Sequence, residues 1–312
     1  MRVAMIGAGG IARVHLSALS QDPALEIVAH VSASEERARA NAAVFGGRAF
    51  PDLSSLLDAV RVEAAWVCVP PYAHGEVEDA LIRRRIPFFV EKPLAADAET
   101  PERIARALDD TGLVTAAGYH WRAMDTVQEV RARLREQPPA LLHGLWFDAG
   151  PPPPWWYRRA TGGGQMLEQT THLIDLARFL VGEASVVSVT SAPAPPDHER
   201  APDFPGASTA VLRFAGGIPA VFSATWLLAM RAAVHLQIVC NGLLMTIGRS
   251  EVTYDEPAGR RSMPLRMDPF AAEDRMFVEA VRRGDPSFPF SPYADALRTH
   301  RLCWEVTTRL SG

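Results

Sequence analysis

Five short apolar runs, at residues 2–6, 27–31, 64–69, 86–91 and 113–118, are separated by helix-like segments such as 11–20, 35–45, 74–84 and 101–110. Short runs rich in Val, Ile, Phe or Ala read as strands buried on both faces. Strand and helix repeated in this order imply parallel strands joined by crossover helices, a doubly wound sheet. The second half has a different rhythm. Segments 142–148, 185–191, 208–214, 218–225 and 233–240 are strand-like and follow one another without helices, apart from 165–181. That pattern implies an open, largely antiparallel sheet. The fold class expected is α/β, a dinucleotide-binding domain followed by an α+β domain on an open, mostly antiparallel sheet. Its boundaries are placed at 1–120 and 121–291, with a C-terminal helix in 292–312 that returns toward the first domain.

A chain of 312 residues accommodates two such domains. Its net charge of −4 is spread over interleaved arginines and carboxylates, which gives no electrostatic basis for binding nucleic acid or a membrane surface. Cys68, Cys240 and Cys303 are odd in number and far apart, as expected of reduced thiols in a cytoplasmic protein. The apolar run after Arg2 breaks at Gly7, too early for a signal peptide, and no run is long enough to span a bilayer.

Gly7-Ala8-Gly9-Gly10-Ile11-Ala12 follows the first strand and opens the first helix, the setting in which G-x-G-x-x-A marks a dinucleotide site. Gly7 permits the tight turn, Gly9 lets the backbone approach a pyrophosphate, and Ala12 lets helix and strand pack closely. The helix that follows offers free N–H groups and a positive dipole end to the phosphates, with Gly10 and Ile11 among the cofactor-binding candidates. At the end of the second strand, where NAD-binding chains carry an acid for the ribose hydroxyls, stands Ser32. A 2′-phosphate meets no carboxylate there, and Ser32, Ser34 or Arg37 are candidates to bind it. NADP is therefore favoured over NAD.

Lys92 is the single lysine among 32 basic residues, and it ends an apolar run in Val90-Glu91-Lys92-Pro93-Leu94. Arginine keeps its proton, whereas a lysine amine can exchange one, so a lone lysine in an arginine-rich chain points to chemistry. Two further features stand out. Pro151–Pro154 lead stiffly into Trp155-Trp156-Tyr157-Arg158, whose rings are candidates either for stacking on a sugar or for packing. Residues 193–205, with five prolines, read as an exposed loop.

Taken in order, the glycine fingerprint, Val69-Pro70-Pro71-Tyr72-Ala73-His74, Glu91-Lys92-Pro93, Gly118-Tyr119-His120-Trp121-Arg122, and Gly162-Gly163-Gly164 ahead of His172 and Asp175 resemble the Gfo/Idh/MocA family of nicotinamide-dependent oxidoreductases. The resemblance spans nearly the whole chain. It implies a Rossmann first domain, a substrate pocket in the second, and a lysine at Lys92 near nicotinamide and substrate hydroxyl, held by Glu91 and followed by a cis prolyl bond. It further implies His172 as a proton carrier. Glu168 stands one turn earlier, where the family usually has aspartate. Pro70, Pro71 and His74 fall in the cofactor-binding stretch, with His74 also a candidate cap of its helix. Arg122, Trp155 and Trp156 are substrate-side candidates, Arg122 being equally suited to an ion pair.

The chemistry itself needs such groups. Oxidising an alcohol sends hydride to nicotinamide and requires a base for the hydroxyl proton; reduction requires an acid. Lys92 and His172 are the candidates, and the residues alone do not divide the roles. Glu168, His172 and Asp175, spaced i, i+4 and i+7, would share one face of a single helix; no second cluster completes a metal site, and none is expected. The expected function is NAD(P)-dependent hydride transfer on a hydroxyl or carbonyl of a sugar, polyol or related cyclic compound, in a homodimer or homotetramer. Two rivals stand beside it: a redox-neutral lyase or glycosidase with tightly held NAD, and a non-catalytic nucleotide sensor.

Overall fold

The computed structural model describes residues 1–288 and 291–310, which form two compact units. The first comprises Met1–Ala95, Glu99–Ala123 and Pro269–Leu297; the second comprises Ala96–Ala98, Met124–Asp268 and the chain from Arg298 onward.

The first unit is built on six parallel strands, β1 (Arg2–Ile6), β2 (Glu26–Val31), β3 (Arg48–Phe50), β4 (Ala64–Val67), β5 (Phe88–Val90) and β6 (Thr115–Ala117), in the order β3-β2-β1-β4-β5-β6. This is the order of the Rossmann fold, and ligands of such sheets bind beyond the carboxyl ends of the strands. The crossover helices are α1 (Gly10–Leu19), α2 (Glu35–Phe45), α3 (Leu53–Ala59), α4 (Glu76–Arg83) and α5 (Glu99–Leu108). Both sheet faces are dry. Val3, Met5, Trp66 and Phe89 pack on one side with Phe277 of the Pro269–Arg283 helix. Ile6, Val67, Phe88 and Val90 pack on the other with Tyr293 and Leu297.

The second unit holds an eight-stranded sheet. Its strands are β7 (Pro139–Phe147), β8 (Ala184–Ala192), β9 (Ala207–Phe214), β10 (Pro219–Thr225), β11 (Ala233–Cys240), β12 (Leu243–Gly248), β13 (Glu251–Glu256) and β14 (Gly259–Pro264). The order is β14-β13-β12-β11-β7-β10-β9-β8, antiparallel throughout except where β10 runs parallel to β7. Burial alternates residue by residue along β9, β10, β11 and β12, so one face is covered and the other only partly shielded. Helices α6 (Asp125–Glu136), α7 (Arg159–Gly162), α8 (Gln165–Glu168) and α9 (Thr171–Val181) complete the unit.

Several elements differ from the sequence reading. The segment expected as one helix over 165–181 is two: the Thr170 N–H reaches back five residues to the Gln165 carbonyl, and the ladder restarts at Thr171. The Pro269–Arg283 helix, whose buried stripe includes Glu273 and Asp274, joins the first unit rather than the second. The C-terminal helix, Tyr293–Arg309, gives its first residues to the first unit and the rest to the second; Ser311 and Gly312 lie outside the described residues.

Gly144 on β7 is paired with Phe222 on β10, and a Cβ there would overlap the edge of that fully buried ring. Gly144→Ala is expected to lower stability by about 1–3 kcal/mol through overpacking. Phe222→Leu in the same chain is expected to recover part of the loss. Urea unfolding of the parent and the two variants checks this, and an Ala variant as stable as the parent contradicts it.

Candidate functional site

In the first unit the glycine turn lies at the carboxyl end of β1. Gly7 has φ +109° and donates its N–H to the Val31 carbonyl at 2.7 Å, while a Cβ on it would overlap the Cys68 carbonyl. Only glycine satisfies both constraints. Gly9 and Gly10 differ: a Cβ on either would meet nothing within 4 Å, so the backbone there is open to close approach. Gly9 is the N-cap of α1, no side chain caps it, and no acidic residue occupies the first turn. Half-buried Ile11 and fully buried Ala12 follow. An uncapped helix start beside an open glycine backbone fits the pyrophosphate of a dinucleotide.

At the end of β2, half-buried Ser32 accepts a hydrogen bond from the Ser34 N–H at 3.2 Å. Ser34 is committed as N-cap of α2, accepting from the Arg37 N–H at 3.3 Å, and the Arg37 side chain is exposed in the first turn. No carboxylate of the β2–α2 turn precedes Glu35. After β4, Pro70 leads into a 3-10 turn beginning at Pro71. His74 is buried and its Nδ1 lies 2.7 Å from Glu78 Oε1; Glu78 Oε2 accepts from the Gly75 N–H at 2.6 Å. The helix α4 is thus capped by Glu78, with His74 bracing it. Burial by itself would raise the Glu78 carboxyl; attraction and hydrogen bonding from His74, with the Gly75 N–H, outweigh it and hold the group below its usual range.

The E-K-P turn follows β5. The Lys92–Pro93 bond is cis, as the resemblance implied. Lys92 is half-buried and its backbone N–H donates to Glu91 Oε2 at 3.1 Å. The other oxygen of Glu91 lies 3.0 Å from Nε2 of His15, and His15 Nδ1 lies 2.8 Å from Asp274 Oδ1. The same Asp274 oxygen accepts the Trp66 indole N–H at 2.8 Å. His15 is fully buried, with the rings of Phe89 and Phe270 at 5.0 and 6.1 Å. Burial pushes its pKa down, but attraction and hydrogen bonds from Asp274 and Glu91 overcome that and carry it well above the ordinary value of 6.5. His15, Glu91 and Glu273 also bring ligand-type atoms within 4.8 Å of one another. Both ring nitrogens of His15 face carboxylates, an arrangement that favours the protonated imidazole.

The sequence reading missed His15 and Asp274. A signal for His15 existed: with Ala12, Leu16 and Leu19 it completes the buried stripe of α1, an unusual place for a histidine. Arg122, read as a possible substrate contact, is 2 % exposed and pairs with Asp295 at 2.6 Å, so its place is structural. Tyr119 and Trp121 are likewise buried.

In the second unit Glu168 closes α8 and His172 lies in the first turn of α9, so Glu168, His172 and Asp175 do not share one continuous helical face. His172 is 5 % exposed and stacks on Trp146 of β7, ring centroids 5.8 Å apart and planes at 19°. Glu168 Oε2 accepts the Trp156 indole N–H at 2.7 Å. Trp156, a candidate for stacking on substrate, is instead 1 % exposed within a cluster of Tyr157, Phe204 and Trp226. It packs, and it holds Glu168. Trp155 is only partly buried at the edge of that cluster. Asp175 is buried and accepts from the Thr299 hydroxyl at 2.6 Å, a structural role.

Comparison with known proteins identifies the family. Residues 1–119 match the GFO/IDH/MocA oxidoreductase family with NAD-binding Rossmann fold, and residues 123–242 match the GFO/IDH/MocA C-terminal domain. The chain is 25 % identical to 4-carboxy-2-hydroxymuconate-6-semialdehyde dehydrogenase from Sphingobium sp. (strain NBRC 103272 / SYK-6), over 99 % of both chains. It is 28 % identical to inositol 2-dehydrogenase from Rhizobium meliloti (strain 1021), over 61 % of this chain and 58 % of that enzyme. Among solved structures, levoglucosan dehydrogenase in complex with NADH and levoglucosan superposes with a TM-score of 0.90 at 20 % identity, covering 100 % of this chain and 97 % of that one. No helix among the described residues is long and apolar enough to cross a membrane. The chain belongs to the GFO/IDH/MocA family and is an NAD(P)-dependent oxidoreductase.

Proposed function

We propose that the protein transfers hydride between a nicotinamide cofactor and a hydroxyl or carbonyl carbon of a sugar, polyol or related cyclic compound. The observation that carries the reading is the E-K-P turn at the carboxyl end of β5, where the chain's single lysine is anchored through its own backbone to a buried carboxylate. When bound, the nicotinamide supplies the hydride acceptor or donor. Gly7, Gly9, Gly10, Ile11 and Ala12 hold the pyrophosphate; Pro70, Pro71 and His74 shape the neighbouring wall. Lys92 and His172 handle the hydroxyl proton or stabilise the alkoxide, and Glu168, steadied by Trp156, orients substrate. Relatives acting on inositol and levoglucosan support the substrate class.

A second reading has its own support. The semialdehyde dehydrogenase aligns across essentially the entire chain, whereas the inositol enzyme aligns over 61 % of it. A hydrated or cyclised aldehyde presents the same H–C–OH group as a polyol, so the same residues would serve it.

Three further parts of the reading concern setting. NADP is the preferred cofactor, because Ser32 leaves a 2′-phosphate unopposed where NAD-binding chains place an acid. The partly shielded face of the eight-stranded sheet, with Leu141 and Val187 exposed at 38 % and 45 %, supports a homodimer or homotetramer. Three buried free cysteines support a cytoplasmic protein.

Lys92→Met is expected to lower kcat by about 10²–10⁴-fold on a polyol or aldehyde substrate while cofactor affinity stays within about threefold. His172→Ala, assayed separately, is expected to lower it by at least about tenfold. Stopped-flow absorbance of the reduced nicotinamide with calorimetric cofactor titration checks both, and full turnover without Lys92 would refute its role. For the cofactor, the parent is expected to favour NADP⁺. Ser32→Asp is expected to cut kcat/KM for NADP⁺ by about tenfold or more, a cost of at least ~1.4 kcal/mol. An unchanged cofactor ratio contradicts the assignment.

A further inference from the structure

We infer that His15 is a positioning residue for Lys92, acting through Glu91. This rests on the hydride-transfer reading for its catalytic consequence. The connection runs through one carboxylate: Oε1 of Glu91 meets His15 Nε2 at 3.0 Å, and Oε2 accepts the Lys92 N–H at 3.1 Å. A carboxylate gripped at one oxygen by a fixed ring can hold the backbone at its other oxygen in one place. His15 is itself fixed. Asp274 holds Nδ1 at 2.8 Å and is anchored in turn by the Trp66 indole, and the aromatic rings of Phe89 and Phe270 flank the imidazole.

Three separate elements therefore join in one chain of contacts that ends on Glu91: β4 through Trp66, the Pro269–Arg283 helix through Asp274, and α1 through His15. None of these residues is exposed enough to meet substrate directly; His15, Trp66, Glu91 and Asp274 are all 4 % exposed or less. Glu273 and Cys68 complete the titratable surroundings, and both are buried. A group this enclosed and this charged has an effect beyond packing only through what it holds, and what it holds is the peptide that begins Lys92.

Gly118, just past β6, supports the same view from another direction. A Cβ there would lie 2.6, 2.8 and 3.0 Å from Oε1, Cδ and Oε2 of Glu91. Glycine at this position gives the carboxylate its seat. Gly118→Ala consequently disturbs Glu91 while leaving every charge in place.

Because Lys92 is the only lysine, its amine can be followed by itself. The test compares the parent with His15→Gln, which keeps one N–H donor, and with Gly118→Ala, which removes no buried charge. Reductive methylation with ¹³C-formaldehyde is timed for the Lys92 amine against the N-terminal amine as internal control. Cofactor Kd, substrate KM and kcat are measured on the same samples. Both variants are expected to methylate Lys92 at least about threefold faster and to lose about tenfold in kcat, with KM and cofactor Kd within about threefold. A fold defect alone would move Kd and KM together with kcat. Parental labelling rates in both folded variants overturn the proposal whatever turnover shows. A parent protein inactive on every substrate, with the labelling change intact, refutes the hydride-transfer reading and leaves the positioning role standing.

Discussion

The first unit is organised around a buried histidine between two carboxylates. Taking ions out of water is unfavourable by several kcal/mol each, and the attraction between them offsets this only with good geometry and full hydrogen bonding. At His15 both ring nitrogens are engaged, with Asp274 and Glu91 at 2.8 and 3.0 Å, and Trp66 donates to the same Asp274 oxygen, while the other Asp274 oxygen has no hydrogen-bond partner among the described residues. Removing any one member strands the others in a dry core. The cluster thereby couples two parts of the proposed site that sequence treats as separate: the helix that opens at the glycine turn carries the imidazole that holds the E-K-P turn. Glycine turn and lysine are tied to the same helix.

The second unit reaches a comparable end by other means. Here aromatic packing does the fixing. Trp156, locked among Tyr157, Phe204 and Trp226, turns its indole N–H toward Glu168, and Trp146 lies flat against His172. Supporting groups of this kind keep side chains in one rotamer. Glutamate at position 168 makes sense in this light: its reach to the Trp156 N–H is satisfied within the unit.

Much of this was legible in the chain. Strand–helix alternation and the glycine turn foretold the parallel sheet, because burial on both faces forces short apolar runs and only glycine fits beside the Cys68 carbonyl. What stayed hidden was tertiary. The break at Gln169–Thr170 follows from a five-residue hydrogen bond with no compositional mark, no proline or glycine. Trp156 as packing rather than stacking surface depends on Phe204 and Trp226, distant in sequence. Asp274 was invisible because its helix escaped the reading; without Asp274, His15 is merely a polar residue on an apolar stripe. Arg122 shows the same limit, since its partner Asp295 lies far along the chain.

The ionisation of His15 is the most direct test of this arrangement. Both ring nitrogens lie within hydrogen-bond distance of a carboxylate, and these partners raise the imidazole well above 6.5. ¹⁵N NMR of histidine-labelled protein, with the His15 signals assigned by their loss in a His15→Gln variant, reads both ring nitrogens. The account predicts that both carry protons at pH 7 and remain so as the pH is raised past the ordinary histidine value of 6.5. A neutral His15 tautomer at pH 7 would contradict it.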